Sequence, residues 1–259
     1  MTTLEKLSFL IHELAQDHPD YEISIPQDED KAFQLFRALC NVRMPGPVSD
    51  EFLEIEGDIL ETMTKEKGIV DVEDLKTSAK YSNISLWQGD ITRLKCDSIV
   101  NAANSQMLGC FQPLHGCIDN IIHTMAGVEL RNACADLMAK QGHEEETGQA
   151  KITSAYHLPS QYVIHTVGPI VSLYVTRKNK QDLASCYKNC LDLASEKGCH
   201  SIAFCCISTG VFHFPQDKAA KIAVETVNEW LKEHKSDMHV IFNVFKDEDY
   251  DIYHQLLEE

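Results

Sequence analysis

Apolar residues recur at helical spacing through the first part of the chain. Leu7, Leu10, Ile11 and Leu14 fall at i, i+3, i+4 and i+7, and Ala32, Leu35, Phe36 and Leu39 repeat the pattern. Pro19 and Pro26 break the polar stretch between the two runs. Met44-Pro45-Gly46-Pro47 closes the second run, because a proline disfavours helix in the residue before it. Phe52, Ile55, Ile59 and Met63 give a third stripe. Residues 1–80 are therefore expected to form a small helical element that buries its apolar faces on the rest of the chain.

From about residue 84 the texture changes to short β-type runs alternating with longer helical patterns. Strands are expected at Ile84–Trp87, Ser98–Asn101, Lys151–Ala155, Tyr162–Val167, Ser201–Ile207 and Val240–Phe245. Helices are expected from Ile118 to about Met138, along the stripes Leu183–Ala194 and Ile222–Leu231, and in the acidic tail. This alternation predicts a layered α/β sheet over residues 81–259 with helices on both faces. Ligands of such sheets bind in crevices beyond the strand ends, where loops enter helices.

Charge narrows the partners. The chain has 40 acidic against 23 basic residues and a formal charge of −17, whereas nucleic acid and anionic membranes select basic surfaces. The acidic runs at Asp28–Asp30, Glu144–Glu146 and Asp247–Asp251 read as solvated faces. No apolar run reaches the roughly 18 residues of a spanning helix, and the first residues lack the pattern of a signal peptide. A soluble cytoplasmic protein with neither membrane nor nucleic-acid partner is expected. Ten cysteines are scattered along the chain, and in a reducing compartment a special cysteine is more often metal-bound or catalytic than bridged.

Three loops that follow predicted strands carry the candidate chemistry. Gly89-Asp90-Ile91-Thr92 fits either a simple capping turn or a carboxylate placed to accept from an amine, with Ile91 supplying an amide. Asn101-Ala102-Ala103-Asn104 runs through Gly109 into the segment Cys110–Asn120, where small residues permit close approach of backbone to ligand. The helix expected from Ile118 offers free amides and a positive dipole end suited to phosphate. Ser208-Thr209-Gly210-Val211-Phe212 again joins a strand to a helix, with Pro215 suited to the first helical turn. Two such loops facing one another can hold a pyrophosphate. Neither matches a dinucleotide-binding or Walker fingerprint, which argues against a dehydrogenase or an NTPase.

Gly89-Asp90-Ile91-Thr92, Asn101-Ala102-Ala103-Asn104, Tyr162–Pro169 and Ile207-Ser208-Thr209-Gly210-Val211 together resemble the macrodomain family in order and spacing. The resemblance implies a three-layer α/β/α sandwich around a mixed sheet, preceded here by the helical N-terminal extension. It also implies a site for ADP-ribose. Asp90 would take the adenine amine, with Ile91 adding a backbone contact. Cys117, Ile118, Asp119 and Asn120 would cradle the diphosphate with Ser208, Thr209, Gly210, Val211 and Phe212. Asn104 and Asp119 would serve the distal ribose as catalytic helpers. The usual Gly-rich run is replaced by Cys110-Phe111-Gln112-Pro113-Leu114-His115-Gly116-Cys117. That departure resembles the zinc-containing microbial branch, which is linked to sirtuin-type ADP-ribosyltransferases and described as ADP-ribosyl hydrolases.

The metal argument also stands on the residues alone. Cys110, His115 and Cys117 form C-x4-H-x-C, two soft thiolates and an imidazole on one loop. Three protein ligands with an open position are the pattern of a catalytic zinc, here one Zn2+ per chain. The competing reading is a chance cluster in a chain rich in cysteine and histidine. His165 reads as a core histidine, His213 as part of an exposed turn, and the Phe212/Phe214 pair as either flanking a ribose or packing on Pro215. The expected function is zinc-dependent removal of mono-ADP-ribose from a modified protein. The alternatives are a non-catalytic ADP-ribose reader and a hydrolase of free acyl-ADP-ribose.

Overall fold

The computed structural model describes every residue except His18, Tyr21 and Glu259, so the last residue of the predicted 81–259 unit lies outside the described residues. Three helices come first: α1 (Thr3–Ala15), α2 (Glu29–Val42) and α3 (Asp50–Lys67). Thr2, Asp28 and Ser49 cap them, each side chain accepting from an amide of the first turn. Leu7, Leu10, Ile11, Leu14, Phe36 and Phe52 are buried, as their spacing predicts. The helical pattern ends at Lys67. Residues Val70–Asp71 form a short strand, β1, that pairs with β3 (Leu94–Lys95), so this end of the extension joins the main body through a two-stranded sheet.

The central sheet has six strands: β2 (Ile84–Gln88), β4 (Ser98–Ala103), β5 (Ala150–Ser154), β6 (Tyr162–Val167), β7 (Ser201–Phe204) and β8 (His239–Val244). Their order is β2-β8-β7-β4-β6-β5, all parallel except β5, which runs antiparallel at the edge. On one side α6 (Arg177–Glu196), α7 (Gln216–His234) and α8 (Asp247–Glu258) pack in succession, and on the other lie α4 (Ile118–Ala126) and α5 (Val128–Gln141). One buried apolar core runs continuously from Leu7 in α1 to Leu257 in α8. No helix among the described residues is long and apolar enough to cross a membrane.

Two expected elements are corrected. The strand at Ser201–Ile207 stops at Phe204, because the amide and hydroxyl of Thr209 both bond back to the Cys206 carbonyl (3.4 and 3.0 Å) and turn the chain out of the sheet. The single helix expected from Ile118 to Met138 is two helices, broken at Gly127 (φ 89°). A Cβ at Gly127 would lie 2.7 Å from the Glu56 carboxylate, which takes the first amide of α5 by accepting from Val128 N–H (3.2 and 3.1 Å). Pro215 also sits one place earlier than expected, at the cap of α7 rather than inside it.

Glu56 is wholly buried, and burial pushes its carboxyl up to about 8, against the Val128 bond and the Arg43 charge, which pull it down. Between the ordinary value of 4.5 and about 8 the folded protein holds a proton that the unfolded chain has lost. Stability from this group is therefore fully present below that window and falls as pH rises through it. Glu56→Gln is expected to flatten this slope and to raise stability at pH 8 by on the order of 1 kcal/mol or more. Urea melts of both proteins at pH 5 and pH 8 check this; parallel pH profiles would contradict it.

Candidate functional site

Because β2, β8, β7, β4 and β6 run the same way, the loops that follow them leave one edge of the sheet. At one end of that edge, Asp90 accepts from the amide and hydroxyl of Thr92 (3.0 and 2.6 Å), both at Oδ1. The capping turn and an available carboxylate thus coexist, since Oδ2 remains open to a donor. The turn is pinned to β8: Asn243 Nδ2 donates to the Gly89 carbonyl (2.9 Å), and Gly89 N–H donates to the Val244 carbonyl (2.9 Å). Phe245, next after β8, is 75% exposed, and its carbonyl accepts from Gln88 Nε2 (3.4 Å) at the end of β2. The apolar run predicts Phe245 inside the strand, but β8 ends one residue earlier, at Val244.

In the middle, α4 begins at Ile118 with Cys117 as its cap residue, and no side chain caps its first amides. The amides of Ile118, Asp119 and Asn120 therefore belong to a helix end whose dipole favours an anion. The facing loop is strained and close-packed. Ser208 has φ 66° and His213 φ 57°, and Val171 N–H donates to the Phe212 carbonyl (2.8 Å). A Cβ at Gly168 would strike the Ser208 hydroxyl, so the turn after β6 fits against this loop only with glycine there. Thr209 and Phe212 are half-buried, Gly210 and Val211 exposed. His213 is exposed and Phe214 is buried, so packing decides the second ring.

Asp119 is buried, and Asn101 Nδ2 donates to its Oδ1 (2.8 Å) while Asn104 Nδ2 approaches its Oδ2 (3.5 Å). Burial raises its carboxyl to about 6, against the Asn101 bond and the Arg131 charge. Asn104 also donates to the Gly109 carbonyl (3.0 Å), tying the end of β4 to the next loop. His123 lies 3.5 Å from Asp119 Oδ1, but burial holds its ring well below the usual histidine range, so this is not an ion pair. His165 is a satisfied core histidine between Asn101 Nδ2 (3.1 Å) and the Thr153 hydroxyl (3.0 Å). Sequence reasoning assigned no role to Asn101, because a strand asparagine carries no mark of which neighbour it will meet.

Cys110, His115 and Cys117 are brought together, their donor atoms all within 4.8 Å of one another and Cys110 Sγ 3.6 Å from His115 Nδ1. All three are half-buried. Burial, reinforced by the neighbouring thiol, pushes the Cys117 thiol up to about 12. Two sulfurs and an imidazole nitrogen at this spacing suit a soft, tetrahedral cation. The donor set therefore fits zinc.

A macro domain family model matches residues 100–223. The chain belongs to the macrodomain family. It is 52% identical over 260 residues to a protein-ADP-ribose hydrolase of Treponema medium, covering 99% of this chain and 100% of that one. Among solved structures it is similar to the Oceanobacillus iheyensis macrodomain with ADP: TM-score 0.62, 38% identity, 69% of this chain and 94% of that one. The Trypanosoma brucei macrodomain in complex with ADP-ribose is also similar, with TM-score 0.65, 29% identity, and 85% and 94% covered. The extension thus falls within the alignment to the Treponema relative.

Gly109 opens the cysteine loop with φ 81°, and a Cβ there would lie 2.9 Å from the buried His123 ring. Gly109→Ala is expected to cost about 1–3 kcal/mol of stability. A melting temperature equal to that of the unaltered protein would show that the loop yields more freely than its packing implies.

Proposed function

We propose that this protein is a hydrolase that releases ADP-ribose from mono-ADP-ribosylated protein with the help of a zinc held by Cys110, His115 and Cys117. The observation that carries the reading is the convergence of those three donors immediately before the free N-terminus of α4, beside Asn104 and Asp119. The name of the Treponema relative, a protein-ADP-ribose hydrolase, and the ADP-ribose in complex with the Trypanosoma macrodomain support the same substrate class. A transferase of the sirtuin type would be the functional counterpart that installs the modification, and the compartment would be the cytoplasm.

In this reading Asp90 accepts from the adenine amine, Ile91 adds its amide, and Phe245 stacks on the base. The amides of Cys117 to Asn120 and of Ser208 to Phe212 hold the diphosphate from two sides. The distal ribose then lies near Asn104 and Asp119, whose orientation is fixed by Asn101 and Gly109. The bond to be broken joins the anomeric carbon of that ribose to a side-chain oxygen or nitrogen, and a water supplies the new oxygen. When bound, zinc supplies Lewis acidity to an oxygen it contacts or makes its water more acidic. Asn104 and Asp119 orient the ribose hydroxyls and the water by hydrogen bonds.

Two outcomes test this. Asp90→Asn keeps an acceptor for Thr92 but loses the charge, so it should weaken ADP-ribose by about 1.5–3 kcal/mol with an unchanged melting temperature. Calorimetry showing unaltered affinity would move the adenine elsewhere. Cys117→Ala and His115→Ala should lose zinc and abolish single-turnover release of labelled ADP-ribose from a modified protein, as a chelator should. The fold should survive, because the sheet core does not run through this loop. Zinc-free variants with full turnover would exclude a catalytic metal. Binding without release in the unaltered protein would make it a reader.

A further inference from the structure

The segment Cys110–Cys117 has no helix or strand of its own, so its shape is set by what packs on it. Two side chains of α2, from the N-terminal extension, reach into it. Arg37 Nη2 donates to the His115 carbonyl (2.9 Å). The same guanidinium donates to Asn120 Oδ1 through Nη2 and Nε (2.7 and 3.2 Å), and Asn120 Nδ2 donates in turn to the Gln112 carbonyl (3.0 Å). Four residues further along α2, Asn41 Oδ1 accepts from Leu114 N–H (2.9 Å). Leu114 has φ 56°, a left-handed conformation that an L residue with a branched side chain disfavours. Its amide is held by a buried acceptor from another element.

The clamp is itself anchored. Arg131 of α5 donates to the carbonyls of Cys40, Asn41 and Arg43 at the C-terminal end of α2 (2.8, 3.1 and 2.5 Å) and to that of Leu108 (2.7 Å). Its guanidinium lies 4.4 Å from the centre of the Phe111 ring, inside the same loop. Helix α2 is therefore fixed to the body at its C-terminus and holds the loop through Arg37 and Asn41. These bonds reach backbone groups at Gln112, Leu114 and His115, between the two cysteines, and leave the sulfurs and the imidazole free.

We propose that Arg37 and Asn41 are positioning residues that preform the Cys110–His115–Cys117 loop for its metal, which makes the N-terminal extension part of the metal site. The proposal rests on the metal reading above. A loop already ordered in the ligating shape loses less conformational freedom when the ion binds, so its affinity is higher. Arginine suits the task because its planar fork serves a carbonyl and an amide oxygen at once, whereas a lysine ammonium offers a single point of contact on a flexible stem.

The test uses the full-length protein and zinc itself. Zinc affinity is measured by chelator competition, and hydrogen exchange at the Leu114 amide is followed in parallel. The variants are Arg37→Ala, Arg37→Lys, Asn41→Ala and, as control, Leu10→Ala, which loosens the core of the extension without touching the loop. Arg37→Ala and Asn41→Ala should each weaken zinc by about 10–100-fold, the usual effect of losing a group that orients a metal ligand. Exchange at Leu114 should quicken in both. Arg37→Lys should recover part of the loss, and Leu10→Ala should lower the melting temperature while leaving zinc affinity unchanged. Wild-type affinity in both alanine variants would overturn the proposal alone. So would an equal loss in Leu10→Ala, which would reduce the contacts to general support. An unaltered protein that binds no zinc would overturn the metal reading and this proposal together.

Discussion

The common direction of five strands governs where everything else can be. Parallel neighbours cannot be joined by a tight turn, so the connections from β4 to β6, from β6 to β7 and from β7 to β8 pass through helices, and helices accumulate on both faces. The same constraint delivers the turns after β2, β4, β6, β7 and β8 to a single edge, although they come from positions as distant as Gly89 and Phe245. The gathering of these loops at one edge is then a property of strand direction rather than of any one motif. Among the described residues, the antiparallel strand of the six-stranded sheet, β5, lies at its border and contributes no such turn.

At that edge the loop before α4 combines two kinds of group. Its end offers helix amides to an anion, and its body gathers two sulfurs and an imidazole. The two are linked by covalent sequence at Cys117, which is both a donor and the residue that starts the helix. Asp119, in the first turn of that helix, is buried and bonded by Asn101 from the floor of the sheet. Rigid strand, helix terminus and irregular loop meet there, and each supplies what the others cannot.

Much of this was legible in the sequence because it rests on local rules. The 3.6-residue stripes of α1, α2 and α3 and the apolar runs of the strands depend on neighbours in the chain. The grouping of Cys110, His115 and Cys117 was legible for the same reason, since their spacing is short. What escaped depends on partners far along the chain. The break at Gly127 is stabilised by Glu56, Leu114 is held by Asn41, and the orientation of Asp119 comes from Asn101. No periodicity encodes such pairs. Phe245 lay between the two cases, since its place at the end of a strand was visible but its exposure was not.

The guanidinium of Arg131 has a consequence for what counts as a unit. It is bonded to the carbonyls of Cys40 and Asn41 in α2, of Arg43 just after it and of Leu108, and it lies over the Phe111 ring, so the extension and the loop share a single cation. The recognisable family segment spans residues 100–223, yet Arg37, Asn41 and Asp90 all lie ahead of it. Moving that segment into another polypeptide would leave Arg131 facing water or the wrong backbone, and the cysteine loop without its tether. The piece that must move together is thus larger than the signature by which it is found, and the alignment to the Treponema relative covers 99% of this chain, extension included.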